Sequence, residues 1–104
     1  MLDNRLTIIN KLAFYDYESI TIADTAIGLT ASKLTTERRP ISVLITFETA
    51  PIRWRADGTD PTSSEGHIQN PMSSMIIEGI HNMQKIRFIR TGTTSGIAKV
   101  SYRR

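Results

Sequence analysis

The sequence has no cysteine, so neither disulfides nor thiolate metal sites can reinforce the fold. Histidine is almost as scarce. His67 and His81 are the only two, and they do not form a pair one helical turn apart of the kind that holds zinc. Both read as loop or surface histidines satisfied by backbone groups. Apolar runs are only a few residues long, against the ~20 needed to cross a bilayer, so no membrane span is expected. Met1-Leu2-Asp3-Asn4-Arg5 lacks a basic segment leading into an uninterrupted apolar core and does not read as a signal peptide. No Gly-x-Ser-x-Gly elbow frames Ser63, Ser64 or another serine as a nucleophile. These absences point away from an enzyme and call for neither cofactor nor metal.

What the chain does contain bounds it from the other side. At 104 residues it has room for one domain with a single core. Hydrophobic residues make up 39% and charged residues 22%, enough to fold but with little apolar surplus. A chain of this size buries only about 60–70% of its unfolded surface, so packing against a partner or against copies of itself is a natural supplement. The net charge is +3, from 13 basic and 10 acidic residues, and nine of the basic residues are arginine. Arginine favours planar, bidentate contacts with carboxylates and phosphates, which suits protein interfaces as well as nucleic acid.

Period-two alternation dominates the sequence and marks half-buried strands. Ile41, Val43, Ile45 and Phe47 share one parity, opposed by Ser42, Leu44, Thr46 and Glu48. Ile52 and Trp54 alternate with Arg53 and Arg55, and Ile86 and Phe88 with Arg87 and Ile89. Ala98, Val100 and Tyr102 alternate with Lys99, Ser101 and Arg103, and a shorter run, Met75-Ile76-Ile77, stops at Glu78-Gly79. Asp57-Gly58 supplies the positive φ of a tight turn, and Thr91 to Gly96 brackets the connection between the last two strands. Ala23 to Ala31 reads as a turn followed by a short strand. Leu2, Leu6, Ile9 and Leu12 have helical spacing, with Asp3 placed to cap them. Leu12, Phe14, Ile20 and Ile22 instead share strand parity, and the β-branched content favours an extended arm leading into a strand. The pattern predicts an all-β fold, a small antiparallel β-sandwich or jelly-roll-like barrel. It forms a single domain over residues 21–104, with residues 1–20 as an N-terminal arm or first strand.

Asp57-Gly58-Thr59-Asp60-Pro61-Thr62-Ser63-Ser64-Glu65-Gly66 is rich in side-chain oxygen but matches neither the P-loop nor the EF-hand ligand pattern. It reads as a polar loop held by Asx and Ser/Thr turns, with Asp57 and Asp60 as solvated turn carboxylates rather than an acid–base pair. The polar stretch from Ala56 to Ser74 is long for a small β domain, and loops of that length are commonly functional or ordered by contacts. Trp54 shares parity with Ile52 and reads as a core anchor alongside Ile45, Phe47, Phe88 and Val100. Arg53 and Arg55 then emerge together from the opposite face of the strand. Arg87 leaves its own strand on one face and Arg90 on the other. Tyr15 and Tyr17 offer stacking surfaces for nucleic acid, but the neighbouring Asp16 and Glu18 repel phosphate, which disfavours a DNA contact.

Several fragments, taken in order, carry a family resemblance. Ala23 to Ala31, Phe47-Glu48-Thr49-Ala50-Pro51-Ile52-Arg53-Trp54-Arg55, Asp57-Gly58-Thr59-Asp60-Pro61-Thr62 and Gly66-His67 are followed by Ile86-Arg87-Phe88-Ile89-Arg90-Thr91-Gly92 and Val100-Ser101-Tyr102. Together they resemble a family of small β-sandwich structural proteins of tailed bacteriophages and prophages. The most specific piece is the arginine–aromatic–arginine strand running into the Asp-Gly-Thr turn. Asn70-Pro71-Met72-Ser73 stands where relatives carry a Gly-Asp-type turn, and the first 20 residues fall outside the likeness. The resemblance implies a non-enzymatic component of the virion, assembled in the bacterial host cytoplasm. Its expected role is capsid decoration or cement on the head shell. A head–tail junction or tail accessory role is the alternative, and a glycan-binding display module the second alternative. The implied partners are the major capsid protein or other virion structural proteins, and the implied state is a homo-oligomer. Candidate interface residues are Arg53, Arg55 and Arg87, with Asp57, Asp60 and His67 in the loop and Leu2, Leu6 and Ile9 in the arm. On this reading, replacing Arg53 and Arg55 together by alanine leaves the fold intact and weakens assembly.

Overall fold

The computed structural model describes residues 11–104, so the arm candidates Leu2, Leu6 and Ile9 lie outside the described residues. The described chain runs through β1 (Phe14–Ile22), a 3-10 turn (Ala31–Lys33), β2 (Ser42–Glu48), β3 (Ile52–Arg55), β4 (His67–Gln69) and β5 (Ser74–Glu78). It continues through α1 (Ile80–Lys85), β6 (Arg87–Arg90) and β7 (Gly96–Arg103). Strands β1, β7, β2 and β5 form, in that order, a four-stranded sheet, and β4, β3 and β6 form a three-stranded one. Every strand pairing is antiparallel. The result is an all-β sandwich of two open sheets rather than a closed barrel.

The alternation read from the sequence builds the core. Ala98, Val100 and Tyr102 of β7 are fully buried, flanked by Ile20 and Ile22 of β1 and by Val43, Ile45 and Phe47 of β2. Ile52 and Phe88 cover them from the smaller sheet. The rings of Phe47 and Phe88, one from each sheet, meet at 6.0 Å between centroids with a 58° tilt, a favourable aromatic geometry. Leu29, Leu34, Met83 and Ile86 come from the connections and α1 and join the same cluster. Among the described residues no helix is long and apolar enough to cross a membrane.

Several expectations change in the structure. Ile41 is 44% exposed, because β2 begins one residue later at Ser42, which is buried as its hydroxyl accepts a 2.7 Å bond from Arg103 Nη2. Phe14 leaves the strand parity because the β1–β7 register shifts between Phe14 and Asp16. Such a bulge turns the side chains before it to the other face, and Phe14 lies outside beneath the Arg103 guanidinium, 5.4 Å from the ring centre. Ala23 to Ala31 holds no strand. Ile27 makes an isolated bridge to Phe88, with N–H···O distances of 2.9 and 2.8 Å, and the chain then enters the 3-10 turn. The stretch from Ala56 to Ser74 is interrupted by β4, which pairs with β3. Trp54 packs against the core but is only half-buried, since its neighbour β4 is a three-residue edge strand that ends the layer there. Residues 80–85, unassigned from sequence, form α1 with Met83 on its buried face. Strand β1 crosses the 20/21 boundary drawn on the sequence, so the sandwich takes in residues from Phe14 on.

Candidate functional site: an arginine-clamped loop on the smaller sheet

The register of β3 sorts its side chains. Trp54 stands opposite Phe88 and His67 and shares their face, on which Phe88 is buried, Trp54 half-buried and His67 exposed at the edge. Arg53 stands opposite Ile68 and Ile89, and Arg55 opposite Arg87, all on the outer face. Residues 57–66 fold back over that face and are held there by the three arginines. Arg53 donates from Nε to the Ser63 carbonyl at 3.1 Å and from Nη1 to the Gly66 carbonyl at 2.9 Å. Arg55 grips Asp57 in a fork, Nε to Oδ1 at 3.1 Å and Nη2 to Oδ2 at 2.5 Å. Arg87 places Nε 3.4 Å from Asp60 Oδ1 and donates from Nη2 to the Ala26 carbonyl at 3.0 Å. Pro61, inside this clamp, is buried although it lies in a polar loop.

The loop also orders itself. The Asp57 carboxylate accepts from the Thr59 amide at 3.3 Å, and Gly58 takes the positive φ of 91° that the turn requires. Thr62 Oγ1 accepts from the amides of Ser64 and Glu65 at 3.3 and 2.9 Å, while the Thr62 amide donates back to the Glu65 carbonyl at 2.9 Å. At Gly66, with φ of 129°, a side chain would meet the Trp54 carbonyl at 3.0 Å and Pro61 Cβ at 3.1 Å. Glycine is what lets the loop close onto β3 there.

An open depression of about 600 Å³ lies beside the clamp, bordered by Trp54, Arg55, Asp57, Glu65 and His67. The His67 ring stacks on Trp54 at 4.6 Å between centroids, and the indole Nε1 is buried without a hydrogen-bond partner. Trp54 is therefore not an open platform of the kind a sugar ring needs, whereas Tyr17 is 55% exposed on the other sheet. The Arg55 guanidinium holds the Asp57 carboxyl down at about 2. A carboxylate stabilised so strongly as the anion is a poor proton acceptor near neutral pH and acts as a structural charge. Among the described residues, no three histidine, cysteine, aspartate or glutamate side chains converge to hold a metal ion.

The structure thus gathers Arg53, Arg55, Arg87, Asp57, Asp60 and His67 into one region. It engages the three arginines within the chain instead of leaving them free for an acidic partner. The expectation that Arg53 and Arg55 can be removed without structural effect changes accordingly, because Arg53 supplies two of the bonds that hold the loop. A second polar cluster was not singled out from sequence. The buried Tyr102 hydroxyl donates to Glu18, which also accepts from the Thr30 hydroxyl and, at 3.3 Å, from the Thr30 amide. Burial first, and the Glu18 bond second, push the Tyr102 phenol far above its ordinary range. Asp16 pairs with Lys33 at 2.9 Å, and that bond holds its carboxyl below the usual value. The sequence signal was the alternation itself, which puts Asp16 and Glu18 on the same inward parity as Ile20 and Ile22.

No protein-family model, curated protein or solved structure matches this chain.

Proposed function

We propose that this protein is a non-enzymatic structural component of a tailed-phage virion, bound to the head shell as a decoration or cement protein. The observation that carries the reading is where the resembling fragments fall. The Arg53-Trp54-Arg55 strand, the Asp57–Thr62 turn, Gly66-His67 and the Ile86–Gly92 segment, separated in sequence, form one face of the smaller sheet and the loop clamped over it. That arrangement favours a stiff, preshaped surface, which binds with less ordering cost than a loose loop. Its partners on this reading are the major capsid protein or neighbouring virion proteins. Cationic contacts come from arginines outside the clamp, such as the exposed Arg39, which borders an apolar depression with Ile41, Ile80 and Arg104.

Cryo-electron microscopy of the particle that carries the protein tests this. Density for the sandwich bridging capsomers, with the 57–66 loop or residues 39–41 against the shell, is the expected result. Density confined to the portal vertex or the tail would move the protein to the junction or tail role. Absence from mature particles would overturn the virion reading.

A further inference from the structure

We infer that the outer face of the four-stranded sheet is a two-fold interface on which two copies of this chain stack face to face. The register lays out that face in rows across β1, β7, β2 and β5. One row reads Tyr17, Ser101, Leu44, Ile76, and the row before it reads Phe14, Arg103, Ser42, Glu78. The rows after it read Ser19, Lys99, Thr46, Ser74 and then Thr21, Ile97, Glu48. Phe14, Tyr17 and Ile76 are each more than half exposed and lie on one sheet face, the first two at its β1 edge and Ile76 at its β5 edge, with the half-buried Leu44 between them. Exposed apolar groups scattered singly need no explanation, but a patch organised by register marks an interaction surface.

The pattern is self-complementary about one axis. A two-fold axis running along the strands between β7 and β2 lays β7 over β2 of the second copy and β1 over its β5. Tyr17 then faces the partner's Ile76, and the small Ser101 receives the partner's Leu44. Lys99 of β7 then lies diagonally across from the partner's Glu48 on β2. An axis running across the strands would instead set the cations of β7 against each other. Sheets stacked this way keep their strands within about 30° of alignment, so the central rows stay matched. Four strands ~4.8 Å apart and four rows ~7 Å apart give roughly 400 Å² of flat area per copy, below the size of a stable specific interface and in the range of weak, transient ones. Association is therefore modest in dilute solution and strengthened wherever copies are held close together. The inference does not depend on the virion reading, because the pair is detected with the isolated protein.

The absence of native cysteine makes the test direct. In the full chain, Ser19→Cys and Ser74→Cys are combined, since the axis sets Ser19 opposite the partner's Ser74, and a short bis-maleimide is added. The expected result is a covalent dimer on a denaturing gel from the double variant, and little from either single variant, whose cysteines sit on opposite flanks of the pair. Adding Ile76→Lys, or Tyr17→Lys as a second disruption, should reduce the dimer at least several-fold while the circular dichroism spectrum stays unchanged. Lys99→Glu should weaken it and Lys99→Glu with Glu48→Lys should restore it, with the melting midpoint unchanged in both, because the two residues are also diagonal neighbours within one chain. Equal crosslinking in the single variants, or indifference to Ile76→Lys, would overturn the inference. So would slow labelling of both cysteines by a monofunctional maleimide without dimer, which would assign the covering of this face to residues 1–10 of the same chain.

Discussion

Gly96 opens β7 at a point where the chain has no space for a side chain. A Cβ there would lie 2.4 Å from Ile52 Cγ2 and 3.0 Å from the Ala50 carbonyl, one a core side chain and the other backbone. Neither can move without disturbing the turn through which β2 hands over to β3. Gly96→Ala is expected to cost about 1–3 kcal/mol, as overpacking of a filled site does, and urea denaturation followed by tryptophan fluorescence measures it. Tyr102 shows the opposite demand, for a large side chain with one polar atom. Its ring fills the core, lying 6.5 Å from that of Tyr15, while its hydroxyl reaches Glu18. That bond ties the centre of the sandwich to the connection at Thr30, since Glu18 binds both.

At the level of elements, the 57–66 loop is the part whose order depends most on a few contacts. Arg53 donates to two loop carbonyls from a rigid fork. Arg53→Ala is expected to cost ~1.5–3 kcal/mol and to release the loop while the core stays folded. Hydrogen exchange should then speed up at Glu65 and Thr62 but not in β7. Lysine should not rescue it, because a single ammonium cannot reproduce the two-point geometry. The Arg55–Asp57 pair adds a pH dependence whose sign follows from its direction. The folded carboxyl titrates at about 2, below its ordinary 3.8, so its contribution is complete above about pH 4. It is lost as the pH falls through 2. Carboxyl NMR should show Asp57 titrating near that value in the wild type and returning to the ordinary range in Arg55→Gln.

For the whole molecule, stability rests on one shared core between two thin sheets, in which Phe47 and Phe88 make the aromatic contact. A domain of this size has about 5–15 kcal/mol of net stability, and Phe47 is the largest side chain that β2 contributes to the contact with Phe88. Phe47→Ala is expected to cost about 3–5 kcal/mol, a large share of that stability, and to lower the melting temperature by about 12 °C or more. Calorimetry of the variant checks this, and a melt unchanged within a few degrees would show that the sheets hold together without it. The same scale governs the proposed role. A small sandwich with a clamped loop on one side and a patterned apolar sheet face on the other has two surfaces, and assembly in arrays would use both.

The all-β class and the faces of β2 and β7 were legible in the sequence, because period-two alternation and turn residues are local consequences of the strand pleat. Val43, Ile45, Phe47, Ala98, Val100 and Tyr102 could be placed inward before any partner strand was known. The parity of Arg53, Arg55 and Arg87 was equally local. What occupies those guanidinium groups was not, because Ser63, Gly66 and Asp60 reach them only after the chain folds back over the sheet. The bulge that turned Phe14 outward, the burial of Ser42 under Arg103 and the linkage of Tyr102 to Glu18 across 84 positions were likewise decided by the tertiary structure. Alternation dictates which way a side chain points. Only the register between distant strands dictates what it meets.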